Sequence, residues 1–349
     1  GEECNEEECN EPGVVHWGPR RTGRLYRGIT QGQAMPASSD SSSTSEVASA
    51  TVSYNRRDLI VYALGVGCTD LRHVYEGADD FAAFPLFPAV LLHKGTSFDV
   101  VDFPSPTLLR LASSGLALPG ARALLDAERY IERVRDVPSA EGAHTLTYQS
   151  RLLGVVPKRN GALIHTAGEL FDGGGALLYR MRASAYALGA TGVAASGCEP
   201  SAPPTPPPPR ACDASHTECV GAQQARLYRL SGDYNPLHVD PAAARAQGFE
   251  SPILHGLCTL GYAVRAVLLL CARGDAARFR AVRARFVGTV SPGDFVRTRV
   301  WAEGRRVVFV AEAKGGEEQE GASRMVIGNA YVELDRDAEL AVPRPVARL

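Results

Sequence analysis

The chain has 349 residues, a length suited to about two domains, and its 45% hydrophobic and 22% charged residues match a globular protein. Lys and Arg total 37 and Asp and Glu 39, so the formal net charge is −2, without the basic excess of a dedicated nucleic-acid binder. No segment approaches the ~20 apolar residues of a membrane span, since the best candidate, residues 266–272, is short and follows Arg265.

Residues 1–54 read as a disordered tail. They contain a Ser-rich run at 38–45 and few periodic apolar positions. The chain starts with Gly1, and its first residues are acidic with no apolar stretch, unlike a signal peptide. Order is expected from near Asn55, and a first unit spans 55–188. Within it, residues 121–134 are ambiguous. Leu124, Leu125, Ile131 and Val134 favour a helix by propensity, while the flanking Pro119-Gly120 and Pro138 also allow a strand. Residues 163–171 and 176–186 should pair as a hairpin around Asp172-Gly173-Gly174. Residues 189–221, with Pro203, Pro204 and a run at 206–209, read as an extended Pro-rich linker.

A second unit, 222–335, is clearer. Asp240, Pro241 and Gly248 bracket a short helix. Residues 260–272 form a longer apolar helix that ends at Gly274. Strands follow at 282–290, 295–302, 306–313 and 324–334, punctuated by Pro292-Gly293-Asp294 and Glu303-Gly304. This is an α+β pattern, a helix wrapped by an antiparallel sheet. Two units of similar size suggest a duplication, and Ser184-Ala185-Tyr186 and Asn329-Ala330-Tyr331 close them alike. Residues 336–349 form a tail.

The chemistry concentrates between Tyr228 and His238. Asp233 and His238 lie five apart across Asn235-Pro236. Pro236 keeps Asn235 out of the helical region, so a carboxylate and an imidazole can converge on one small molecule such as water. Asn235 could orient the pair. The same residues are ordinary turn formers. His255-Gly256 opens the long helix. Gly256 could offer backbone N–H groups to an oxyanion, or merely permit a tight turn. His255 taken alone suits a core position.

Taken together, Tyr-x-Leu-Ser-Gly-Asp-Tyr-Asn-Pro-Leu-His followed by Gly-Phe-x-x-Pro-Ile-Leu-His-Gly-Leu-Cys-Thr-Leu-Gly resembles the hydratase 2 signature. These are the MaoC-like (R)-specific enoyl-CoA hydratases of the peroxisomal multifunctional enzyme type 2 and its single-function plant relatives. The likeness is dense over residues 227–334, including Ala284-Arg285-Phe286 and Asn329-Ala330-Tyr331-Val332, and extends over about 55–335. In the first unit, Tyr62-Ala63-Leu64-Gly65-Val66-Gly67 and Val74-Tyr75-Glu76-Gly77 look like the family's opening segment.

The resemblance implies a double hot-dog fold. Its C-terminal unit would be catalytic, and its N-terminal unit non-catalytic and shaped for the acyl chain and coenzyme A. It implies hydration of trans-2-enoyl-CoA, with Asp233 and His238 as the catalytic pair, Asn235 in support and Gly256 as oxyanion donor. It places Tyr234, Pro236, Leu237, Phe286, Lys158, Glu76, Asp126 and Ala127 at substrate or coenzyme A contacts. It also implies a strand over the ambiguous 121–134 stretch. The sequence departs from the pattern where relatives read Leu-His-Gly-Glu-Gln-Tyr and this chain has Leu125-Asp126-Ala127-Glu128-Arg129-Tyr130. A carboxylate beside a phosphate-bearing ligand is unfavourable unless a cation intervenes.

No metal or cofactor is expected beyond the coenzyme A of the substrate, and no G-x-G-x-x-G, P-loop or G-x-S-x-G motif is present. Cys212, His216 and Cys219 give three potential zinc ligands where structural zinc wants four. The eight cysteines are scattered and read as reduced thiols. The terminal Ala347-Arg348-Leu349 is similar to a peroxisomal address, implying an import receptor as partner. A homodimer is also expected, with no nucleic-acid partner and no membrane span. The length leaves no room for the dehydrogenase or sterol-carrier parts of the multifunctional relatives. A hot-dog thioesterase and a non-catalytic acyl-CoA-binding module are the competing readings.

Overall fold

The computed structural model describes residues 47–108, 116–197, 203–315 and 322–341. The N-terminal cysteines and the terminal tripeptide lie outside the described residues. The first half runs β1 (Ala48–Tyr54), α1 (Arg56–Gly65), α2 (Leu71–Val74), α3 (Leu91–Lys94), then β2 (Ala123–Arg133), β3 (His144–Lys158), β4 (Gly161–Phe171) and β5 (Leu177–Leu188). The second runs β6 (Ala214–Cys219), α4 (Gln224–Tyr228), α5 (Pro241–Ala246), α6 (Gly256–Cys271), then β7 (Phe279–Phe286), β8 (Phe295–Glu303), β9 (Arg306–Lys314) and β10 (Arg324–Leu334).

All ten strands form one sheet in the order β1-β3-β4-β5-β2-β7-β10-β9-β8-β6. Read outward from the centre, the halves have the same topology. Adding five to each strand number of the first half gives the second, so the duplication is visible in the pairing itself. The seam is β2 against β7, antiparallel, with Tyr130 opposite Arg283 and Ile131 opposite Val282. This is a double hot-dog.

Two sequence expectations change, and one that was left open is decided. Residues 48–54, expected in the tail, form β1, which pairs along its length with β3. Asn55 instead starts α1 through a capping box, its side chain accepting from Asp58 N–H while Asp58 Oδ2 accepts from Asn55 N–H. Part of the supposed linker is β6, which zips onto β8 from Ala214–Val300 to Cys219–Phe295. His216 and Cys219 are three apart on this strand, so they point to opposite faces. Residues 121–134 contain a strand, as the resemblance implied, because β2 must pair with β5 on one side and β7 on the other. Burial between two neighbours overrides helix propensity there.

α6 is apolar nearly all round and is buried along most of its length, as expected of a helix enclosed by a sheet. It packs against the end of α1. The terminal carbonyls of α1, which lack partners within that helix, are taken by the second half. Gln224 Nε2 donates to Leu64 O and Gly65 O, and Arg265 Nε donates to Val66 O. A side chain at Gly261 would lie 2.3 Å from Val66 Cγ1, so the helices approach this closely only because that position is glycine. Buried Arg133 at the end of β2 donates to the carbonyls of Ala277 and Phe279, each at 2.5 Å. The two halves are thereby welded at the seam and at the helices.

Candidate active site

The loop carrying the candidate pair is shaped by its own sequence. After α4 the chain tightens into a 3-10 turn at Arg229–Ser231 and leaves it through Gly232 at φ +128°. Asn235 lies outside the helical region, at φ −54° and ψ 119°, as the residue before a proline favours, and its Oδ1 accepts from Leu237 N–H at 3.1 Å, capping a second 3-10 turn, Pro236–His238. Asp233 Oδ1 accepts from Asn235 N–H at 3.3 Å. Asp233 and His238 therefore leave the same compact turn and face one another.

Backbone carbonyls fix both imidazoles of the site. His238 Nδ1 lies 2.8 Å from Ile253 O. A carbonyl only accepts, so Nδ1 carries the proton and Nε2 is bare. His255 Nε2 likewise donates to Asp233 O at 3.1 Å, leaving a buried Nδ1 without a partner. The two rings stack, with centroids 3.6 Å apart and planes at 25°. Tyr228 closes the far side, 4.8 Å from the His255 ring. Burial lowers the proton affinity of His238 and, more strongly, of His255, so both are neutral near pH 7. Burial pushes the Asp233 carboxyl up, but the pull of His93, and of His255 and His238 once they are protonated at the low pH where the carboxyl titrates, together with the Asn235 N–H outweighs it, holding it at about 2. The site thus presents an ionised carboxylate beside a neutral imidazole with a bare nitrogen.

Asp233, His238 and His255 each bring one ligating atom within 4.8 Å of the others. The arrangement suits a water molecule that donates one hydrogen to the carboxylate and one to His238 Nε2.

Gly256 is the first residue of α6, and no side chain caps that end. Its N–H groups and the positive end of the helix face outward. A side chain at Gly256 would touch the Phe286 ring at 3.5 Å and Asp126 Cβ at 3.7 Å. The structure therefore brings Phe286 and Asp126 to the helix end. Ala127 is the extra residue of a bulge in β2, where the pairing jumps from Asp126–Ala185 to Glu128–Ser184. Asp126 is not an unpaired negative charge, because Arg129 grips its Oδ1 at 2.5 and 3.1 Å. The cation that the sequence departure called for is three residues away.

The other expected contacts sort differently. Tyr234 is half-buried with the Arg229 guanidinium 5.1 Å from its ring, and Pro236 starts the second 3-10 turn. Leu237 is 2% exposed and acts as packing under the turn. Glu76 is exposed in the turn after α2. Lys158 ends β3 opposite Gly161, exposed, where its charge acts on His165. Neither Glu76 nor Lys158 has a described contact with the Asp233–His238 cluster. A cavity of about 660 Å³ lined by Glu128, Tyr130, His165, Arg180 and Tyr331 contains none of the cluster either. The sequence reading missed His93, whose Nδ1 lies 3.8 Å from Asp233 Oδ1; no motif surrounds it, and 140 residues separate it from its neighbour.

Residues 52–189 match the model of the MFE-2 hydratase 2 N-terminal domain, and residues 201–322 that of the MaoC like domain. The chain is 33% identical over 288 residues to a protein named enoyl-CoA hydratase 2, peroxisomal, of Arabidopsis thaliana, covering 75% of this chain and 86% of that one. It belongs to the MaoC-like hydratase 2 family. It is also 39% identical over 297 residues to the peroxisomal multifunctional enzyme type 2 of Drosophila melanogaster, covering 80% of this chain and 46% of that protein. The chain thus spans less than half the length of this multifunctional relative. Among solved structures, a MaoC-like dehydratase from Phytophthora capsici superposes with a TM-score of 0.76 at 35% identity, covering 84% of this chain and 96% of that one. A Mycobacterium tuberculosis protein described as having a double hot-dog fold matches at TM-score 0.56 and 15% identity, over 84% and 97% of the two chains, which supports the fold alone. Both family domains meet at the β2–β7 seam, with the Asp233–His238 turn in the second.

Proposed function

We propose that the chain hydrates trans-2-enoyl-CoA reversibly to (3R)-3-hydroxyacyl-CoA, and that it does so in peroxisomal fatty-acid β-oxidation. One observation carries the reading: an ionised Asp233 and a bare His238 nitrogen face one another from a single turn, close to the uncapped N-terminus of α6. The peroxisomal setting draws on the names of the relatives.

The geometry supports the following sequence. The thioester oxygen lies against Gly256 N–H, a contact that strengthens as negative charge builds on that oxygen. Water sits between Asp233 and His238, giving each a hydrogen bond and keeping a lone pair free toward C3. A carboxyl held at about 2 is a weak base, so His238 Nε2 takes the proton as the C–O bond forms. The enolate-like intermediate then collapses, and the proton returns from the pair to C2. The water oxygen ends on C3, one hydrogen stays on the new hydroxyl, and the other ends on C2. Phe286 flanks the helix end where the thioester would sit, and Asn235 fixes the turn through Leu237 N–H.

The test is incubation with trans-2-enoyl-CoA thioesters of several lengths. Loss of enoyl absorbance without release of free thiol, followed by chiral analysis giving the 3R alcohol, supports hydration. Stoichiometric thiol release would assign a thioesterase instead. Binding without turnover would assign a carrier.

A further inference from the structure

His93 reaches the site from the first half of the chain. It lies in α3, its Nδ1 is 3.8 Å from Asp233 Oδ1, and that nitrogen is buried without a hydrogen-bond partner. Two features hold it there. Gly232, immediately before Asp233, packs directly on the backbone of Lys94, with room for no side chain: a Cβ would lie 2.6 Å from Lys94 Cβ and 2.8 Å from its Cα and N. Lys94 is in turn anchored. Its buried ammonium donates to Ser53 O at 2.8 Å and to Ser97 O at 2.5 Å, and faces Asp58 Oδ2 at 3.4 Å. α3 is thus tied to β1 and to the start of α1, and it presents one imidazole edge to the carboxylate.

We infer that His93 is a positioning residue for the hydration, presenting Nδ1–H to Asp233 Oδ1 so that this oxygen is held by His93 and the Asn235 N–H while Oδ2 is left for the water. The inference rests on the hydratase reading for its kinetic consequence, but not for its geometry. A carboxylate has two equivalent oxygens and turns freely about its last bond. Donors on one oxygen fix its plane and decide which oxygen meets the substrate water. The 3.8 Å separation closes to a hydrogen bond with about 1 Å of movement, the tightening common when a substrate completes a site. The electrostatics agree. Burial pushes Asp233 up, and among the pulls that oppose it, that of His93 is the largest. The site is then shared by both halves, and the N-terminal half contributes more than a surface for the acyl chain.

Two measurements test this. In protein labelled with 15N-histidine, long-range 1H–15N correlation reads which ring nitrogen of His93 carries a proton, with the resonance assigned by its loss in His93→Asn. A proton on Nδ1 is expected. A bare Nδ1 with the proton on Nε2 alone would overturn the inference, and this readout needs neither substrate nor a disruptive variant. Kinetically, His93→Leu should lower kcat on the order of 10- to 100-fold with KM within about twofold of wild type. His93→Asn, whose amide nitrogen can occupy the place of Nδ1, should recover most of that loss. Wild-type kcat in a folded His93→Leu, or a loss confined to KM, would contradict the assignment. If the wild type fails to hydrate any enoyl-CoA, the functional reading falls while the proton measurement still decides the role of His93 toward Asp233.

Discussion

Replacing Gly232 with Ala drives a methyl group into the backbone of α3. The new Cβ would stand 2.6–2.8 Å from Lys94 Cβ, Cα and N, where ordinary contact begins at 3.4 Å. Those atoms cannot rotate away, so α3 and the Asp233 turn must separate by about 0.6–0.8 Å. The φ of +128° adds backbone strain for any residue with a side chain. Strain of about 1–3 kcal/mol and overpacking of about 1–3 kcal/mol together predict a loss of about 2–6 kcal/mol. At about 2 °C per kcal/mol for a chain of this size, Tm should fall by about 4–12 °C. The same separation moves Asp233 relative to both His93 and the water site, so kcat should fall by about tenfold or more. Gly248→Ala is the control. Its φ is +90° but nothing lies within 4 Å, so it should lose only about 1–2 kcal/mol of strain and keep its kcat. The assay is thermal unfolding and enoyl-CoA hydration on the same preparations. If Gly232→Ala matched Gly248→Ala in both Tm and kcat, the contact between α3 and the catalytic turn would not be the constraint argued here.

Asp233→Asn and His238→Gln should each lower kcat by about 10²- to 10⁴-fold with little change in KM, measured by loss of enoyl absorbance. Asp233 also sets a pH signature. Its folded value of about 2 lies below the ordinary carboxyl value of 3.8, so its stabilisation is present above pH ~4 and is lost as the pH falls toward ~2, amounting to about 2 kcal/mol. Urea unfolding between pH 5 and pH 2 should therefore lose about that much more stability in wild type than in Asp233→Asn; equal slopes would contradict the assignment. Arg129→Leu leaves the partly buried Asp126 carboxylate without its cation beside α6. It should cost about 2 kcal/mol, and the Asp126→Asn, Arg129→Leu double variant should regain most of it, as read by chemical denaturation.

What the sequence could reveal follows the distance between interacting residues. The candidate turn was legible because Asp233, Asn235, Pro236 and His238 lie within six positions of one another. The α5 cap was legible for the same reason, Asp240 reaching only as far as Ala242 N–H. His93 was not legible, because it meets Asp233 through the packing of α3 on Gly232. The partnership of Asp126 and Arg129 follows from the strand and bulge of β2, where propensity alone pointed to a helix. β6 was hidden by its proline-rich flank, and its place is set by the open edge of β8. Local chemistry thus marked the loop that carries Asp233 and His238, while long-range packing decided what surrounds them.

In the proposed site one face of the double bond meets both the attacking oxygen and the returning proton, since Asp233 and His238 leave the same turn. Hydration of a trans-2-enoyl-CoA in D2O, with the relative configuration at C2 and C3 read by NMR, tests this directly. Deuterium at C2 and the hydroxyl at C3 added to the same face is the predicted result. Addition to opposite faces would require a proton donor across the substrate from this pair and would contradict the proposed site.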